Sequence, residues 1–278
     1  MKILFILLAF SALASSAFAA AEADLLVAYD NSFSDGVGGD DNAEVIAANG
    51  VAGSNAINNR SGTGARIRIA GYHKTFWQGG RSTLGGYVGW MGNYGDGNLD
   101  DVTAAADARG ADLVSFVCAP NAGETSAAVA NQPGRYAAYS TGSFWANIIA
   151  HETGGHNYGA DHRGGDDNPK TIMMHNYCGG GSQGFYSNPN IWLNGSRLRG
   201  TGSCIGAAVN GGDNAYVISS TAQGVADRNA RVITAPKLDS VVRRWSFNQP
   251  AASAPAGTTI TDDVTGTALA TVQGTGAA

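Results

Sequence analysis

Apolar residues in this chain come in short clusters separated by stretches rich in glycine and asparagine. Leu25-Leu26-Val27-Ala28-Tyr29 is a continuous apolar run ended by Asp30-Asn31-Ser32, which predicts a strand followed by a turn. Between Asn42 and Ile57, the positions of Val45, Ile46, Val51 and Ile57 predict a helix broken near Asn49-Gly50. Arg66-Ile67-Arg68-Ile69 alternates polar and apolar, the period of a half-buried strand that extends to Tyr72. Asp100 or Asp101 is placed to cap a helix that runs to Ala108 and is closed by Gly110. Leu113–Val117 is nearly all apolar, as expected of a central strand covered on both faces. Ser143 then caps a predicted helix in which Phe144, Trp145, Ile148 and Ile149 form an apolar stripe.

The two ends depart from this pattern. Lys2 is followed by an apolar run from Ile3 to Ala14 and by small residues ending in Ala17-Phe18-Ala19. That order matches a signal peptide over residues 1–19 with a small-x-small cleavage site, and the run is short for a span of about 20 residues. The expectation is a secreted, extracellular or periplasmic protein that begins near Ala20 and has no membrane segment after cleavage. Beyond Asp239 the composition shifts to Arg244-Trp245-Ser246-Phe247-Asn248, an Ala/Pro/Thr stretch and a Thr/Gly-rich tail. One main domain over residues 22–240 and a separate tail over 241–278 follow from that shift.

Composition narrows the function. With 278 residues, 44% of them hydrophobic, the chain can bury one sizeable core. A formal net charge of -5, with 14% charged residues and no Lys/Arg cluster, argues against nucleic acid as a partner. The three cysteines suit an oxidising compartment. Cys178 and Cys204 flank a glycine-rich region and are the favoured pair, which leaves Cys118 as a buried free thiol at the end of an apolar run. Asp96-Gly97-Asn98-Leu99-Asp100-Asp101 has the outline of a calcium loop but lacks the glycine at its sixth position and the terminal glutamate. A turn plus a helix cap accounts for it, so calcium is unsupported.

The chemistry concentrates in residues 151–174. Three of the five histidines, His151, His156 and His162, lie within a dozen positions, and Glu152 follows the first directly. Neutral imidazoles are common zinc ligands, and three of them leave a fourth position for water. Glu152 is then placed to act as general base on that water. Gly159 can take a positive φ, stop the helix and turn the chain so that His162 meets the metal from outside it.

His151-Glu152, His156, Gly159 and His162, followed by Thr171-Ile172-Met173-Met174, resemble the metzincin pattern H-E-x-x-H-x-x-G-x-x-H with its Met-turn. Leu25–Tyr29, Asp96–Asp107, Ala111–Val117 and Phe185–Asn190 also resemble segments of bacterial reprolysin-like members of that family. The resemblance implies an α/β (α+β) fold: a mixed, mostly parallel twisted sheet with flanking helices, an active-site helix and a small C-terminal subdomain. It further implies one catalytic zinc ion held by His151, His156 and His162, a floor made by Met173 or Met174, and hydrolysis of protein or peptide substrates. Tyr177 is a candidate oxyanion donor on the same analogy, while His73 and His175 read as structural and loop histidines.

This chain departs from the pattern by one residue. Three residues, Thr153, Gly154 and Gly155, stand between Glu152 and His156 where the family has two. At about 100° per residue, positions i and i+4 lie about 40° apart on a helix, but i and i+5 lie about 140° apart. A π-bulge at Gly154-Gly155 is the expected means of restoring the facing. The alternative reading is a catalytically inactive zinc-binding or adhesin-like protein with a degenerate site. The tail supports that alternative, because Trp245–Asn248 and Asp262-Asp263-Val264-Thr265-Gly266 resemble the opening of a LamG-like jelly roll, incomplete here.

Overall fold

The computed structural model describes residues 20–77, 80–164, 171–174, 184–200, 209–232, 259–261 and 268–271. The chain divides into two compact units, residues 1–231 and 232–278.

The first unit is a five-stranded sheet flanked by helices. Strands β1 (Ala21–Tyr29), β2 (Ala65–Lys74), β3 (Leu113–Cys118), β4 (Ala128–Ala130) and β5 (Tyr136–Ser140) lie in the order β2-β1-β3-β5-β4. All pair in parallel except β4, which runs antiparallel to β5 along one edge. The mixed α/β fold with a mostly parallel sheet, which the resemblance implied, is therefore present. Successive side chains of a strand point to opposite faces. Leu25, Val27 and Tyr29 of β1 and Leu113 and Val117 of β3 accordingly enter one core, with Ile149 and Ile218. Leu26 and Ala28, with Val114, Phe116 and Cys118, enter a second core on the other face.

Helices α1 (Asn31–Gly36), α2 (Asp40–Ser61), α3 (Leu84–Gly92), α4 (Asp100–Ala108), α5 (Ala146–Glu152) and α6 (Asn214–Ala226) cover the two faces. Three local expectations are corrected. Helix α2 runs unbroken through Asn49-Gly50. A Cβ at Gly50 would meet Ile149 Cδ1 at 2.6 Å, and one at Gly53 would meet Ala146 Cβ at 2.6 Å. Those glycines let α2 and α5 approach closely; they are contacts, not a break. The cap of α5 is Trp145, in extended conformation, whereas Ser143 accepts a hydrogen bond from Ser140. The N-cap of α4 is Leu99 at φ 55, while the Asp100 carboxylate accepts from Gly95 and Gly97 N–H in the preceding loop. That loop is thus the turn the sequence indicated.

Cys118 is a buried free thiol, as expected. Cys178 and Cys204 lie outside the described residues, and so does any bridge between them. Past the histidine-containing segment, β6 (Asn188–Leu193) and β7 (Ser196–Leu198) form a hairpin whose turn residues Asn194 and Gly195 have φ of 51 and 80. Asn-Gly suits that turn because both positions need positive φ. In the second unit the described residues form one antiparallel pair, β8 (Thr259–Thr261) with β9 (Ala268–Thr271). Residues 244–248 and 262–266, which carry the jelly-roll resemblance, lie outside the described residues. Among the described residues no helix is long and apolar enough to cross a membrane.

Candidate metal centre

Helix α5 ends immediately after the first two residues of interest, His151 and Glu152. The extra residue is taken up there. The N–H of Thr153 donates to the Ile149 carbonyl four residues back, and that of Gly154 donates to the same carbonyl five residues back, at 2.8 Å. The second bond is the wide, π-type turn anticipated for the insertion. The helix does not then resume: residues 153–155 form a turn, and His156–Tyr158 is a single 3-10 turn. The bulge expected inside a continuous helix is therefore a helix end followed by a tighter turn.

Both glycines are required by what surrounds them. A Cβ on Gly154 would meet the Tyr186 hydroxyl at 2.7 Å and the Ala150 carbonyl oxygen at 3.1 Å. A Cβ on Gly155 would run into the His151 carbonyl and the Met173 sulfur. Below the turn, Thr153 is fully buried. Its Oγ1 lies 2.8 Å from Ser115 Oγ and 2.5 Å from the Tyr139 hydroxyl, which also accepts from Thr153 N–H. Tyr186 donates to the Ala150 carbonyl at 2.6 Å. This buried network holds the end of α5 against β3 and β5, and no local spacing announces it.

Gly159 has φ 94 and redirects the chain, as its position predicted. The return path is set from far away in sequence. Asn214, the first residue of α6, accepts from Asp161 N–H at 3.2 Å and donates to the Asp161 carbonyl at 2.9 Å. Gln132 donates to the Ala160 carbonyl at 2.8 Å. His162 is thereby brought back over the other two histidines.

The three rings converge. His162 Nε2 lies 2.9 Å from His151 Nε2 and 2.9 Å from His156 Nε2. His151 Nδ1 lies 2.7 Å from the Ile172 carbonyl, and His156 Nδ1 lies 2.9 Å from the Ala160 carbonyl. A carbonyl only accepts, so both Nδ1 atoms carry the proton and both Nε2 atoms present lone pairs. The Nε2–H of His162 could satisfy one of them at most. A cation set among the three nitrogens satisfies all three lone pairs, so the donor set fits a metal ion. These three side chains could hold one, and their ligand atoms lie within 4.8 Å of one another. Burial, then the neighbouring His162, lowers the pKa of His156 to about 4, which keeps it in the neutral, ligating form.

Glu152 and both methionines complete the surroundings. Glu152 is buried, and desolvation raises its pKa to about 8. It lines the same cleft, of about 510 Å³, as the three histidines, Ile148, Met174 and the edge segment Thr125–Ala130. Met173 is fully buried beneath Gly155, and Met174 is nearly so while reaching the cleft wall. The turn that carries them is tied down by Ile172 N–H to the Phe185 carbonyl at 2.7 Å. His73 lies 2.9 Å from Asp101, away from the cleft lining. His175 and Tyr177 are outside the described residues.

No protein-family model matches this chain, and no curated protein matches it. The fold is shared. Among solved structures, 73 chains match it. One, from a structure described as that of a chaperone-substrate complex, superposes with a TM-score of 0.59 at 19% identity. The match covers 76% of this chain and 36% of that one, so this chain spans about a third of its length. At that identity the likeness speaks for the fold alone.

Proposed function

We propose that this protein is a secreted zinc-dependent endopeptidase of the metzincin type, in which Glu152 serves as general base. The observation that carries the reading is Glu152 sharing one cleft with three imidazoles whose lone-pair nitrogens converge. An all-nitrogen set of neutral imidazoles suits zinc. Zinc held there supplies a Lewis acid that polarises a carbonyl and lowers the pKa of water to about 7.

The protein's own residues supply the rest. The Glu152 carboxylate takes a proton from the attacking water and returns it to the departing amine. Its place in the same cleft as the three imidazoles puts the carboxylate within reach of that exchange. The edge strand β4 lies along the cleft, and β5 occupies one of its sides. The other row of backbone donors and acceptors suits an extended peptide laid beside it. Met173 supports the turn beneath the site from the apolar side.

The test joins metal content to turnover. Purified protein is expected to carry one zinc per chain and to cleave casein until a chelator is added. Glu152→Ala should keep the zinc and lose activity by at least about a hundredfold. Protein without zinc, or a variant as active as the parent, sinks the reading. Stoichiometric zinc without turnover in the parent points instead to a metal-binding protein that is not an enzyme.

A further inference from the structure

The hairpin β6–β7 carries a surface that the cleft chemistry does not use. Its residues separate cleanly by side. Ile191 and Leu193 are half-buried and Leu198 fully buried, so the apolar side chains face the protein. Asn190, Trp192 and Arg197 are exposed, with 61% of Trp192 accessible. Trp192 and Arg197 are direct partners across the hairpin, and the Arg197 guanidinium carbon lies 5.1 Å from the Trp192 ring centroid. Arg199, just past β7, is also exposed, and its Nε donates to the Gly211 carbonyl at 2.8 Å. That bond holds a second guanidinium beside the hairpin and leaves its terminal nitrogens for another partner.

Charge sets this surface apart. The whole chain has a net charge of -5, yet between Lys170 and Asp213 there is no Asp or Glu. The only formal charges in that stretch are Arg197 and Arg199. Asp213, which ends it, has its carboxylate committed to the Tyr216 N–H at 2.8 Å. Two arginines without acidic neighbours in sequence thus stand next to an exposed indole on a hairpin closed by a two-residue turn, a combination suited to anions.

We propose that the outer face of this hairpin binds an acidic polysaccharide, with carboxylated sugars as the recognised units. The aliphatic face of a sugar ring packs on the Trp192 indole, while each carboxylate takes a paired hydrogen bond from Arg197 or Arg199. Asn190 adds an amide for ring hydroxyls. A membrane is a poorer fit, because the hairpin's apolar residues other than Trp192 point inward and offer nothing to insert. Nucleic acid is poorer still, because its affinity rests on many phosphate contacts.

Affinity electrophoresis through gels containing polygalacturonate or neutral dextran tests this on the whole protein. Polygalacturonate should retard it, dextran should not, and added salt should release it. Trp192→Ala, which leaves charge unchanged, and the double change Arg197→Ala with Arg199→Ala should each weaken retardation by about tenfold. Melting temperatures equal to the parent's show that the variants are folded. Absence of retardation overturns the proposal, as does retardation that survives Trp192→Ala. Equal or tighter binding to phosphatidylglycerol vesicles or single-stranded DNA overturns it as well. The readout is binding, so it stands or falls apart from the peptidase reading.

Discussion

Glu152 and His156 sit a few residues apart in the same buried turn, and burial moves them in opposite ways. An ordinary glutamate has a pKa of 4.5, and Glu152 is raised to about 8; an ordinary histidine has 6.5, and His156 is lowered to about 4. In the metal-free protein Glu152 binds its proton more tightly when folded. Its contribution to stability is complete below pH 4.5 and is lost as pH rises towards 8. His156 resists its proton when folded, so its contribution is present above pH 6.5 and is lost as pH falls towards 4. The two slopes oppose each other between 4.5 and 6.5, and from 6.5 to 8 only that of Glu152 remains. Chelator-treated protein should therefore melt at lower temperature as pH rises from 6.5 to 8, and Glu152→Gln should flatten the curve. Parallel curves for parent and variant would refute this account of Glu152.

Between helices, glycine matters through the contact it permits. Ala is a better helix former than Gly by up to about 1 kcal/mol, so Gly53→Ala in isolation would stabilise α2. The added methyl would sit 2.6 Å from Ala146 Cβ, an atom with no rotamer by which to move aside. Overpacking of that kind costs about 1–3 kcal/mol, so the net change is expected to be destabilising and to push α5 away from α2. Denaturant unfolding should show a lower midpoint for Gly53→Ala, together with weaker metal retention because α5 carries His151. A midpoint at or above the parent's would mean that the helices have room to separate. The same reasoning explains why the hydrophobic pattern of α2 looked interrupted at Gly50: the residue facing Ile149 there is a glycine where an aliphatic was sought.

Across the chain as a whole, the last described segment of the first unit returns to its first strand. Asp24, on β1, is 1% exposed and accepts from Arg68 at 2.8 and 2.7 Å and from Arg231 at 3.1 Å. Its own N–H donates to Asp112, which in turn accepts from Asn229 N–H. Removing one partner of a buried pair costs about 3–5 kcal/mol, and both arginines here are about 40% exposed and keep some water. Asp24→Ala should cost near the lower end of that range. Arg231→Ala should cost less, because Arg68 still pairs with Asp24. Thermal unfolding of the two variants checks the order, and a reversed order would place the clamp elsewhere.

Short-range patterns were enough to read much of this protein. Leu25–Tyr29 was legible as a strand and Leu113–Val117 as a central one, because their apolar runs serve two cores at once. His151, Glu152, His156, Gly159 and His162 were legible because all lie within a dozen positions. Helix α3, with four glycines among nine residues, was not predicted, nor were the short alanine-rich strands β4 and β5. Their stability comes from packing and not from local propensity. The same limit hid Ser115, Tyr139, Tyr186 and Asn214, which act on the centre across 14 to 53 positions. The amino-acid order alone thus determined which side chains could ligate a metal, while the mostly parallel sheet that carries them was implied by the family resemblance. Whether three imidazoles meet despite the surplus residue was decided by the folded chain. A local helix would turn His151 and His156 apart, and only a helix end pinned by distant hydroxyls and an amide brings them round.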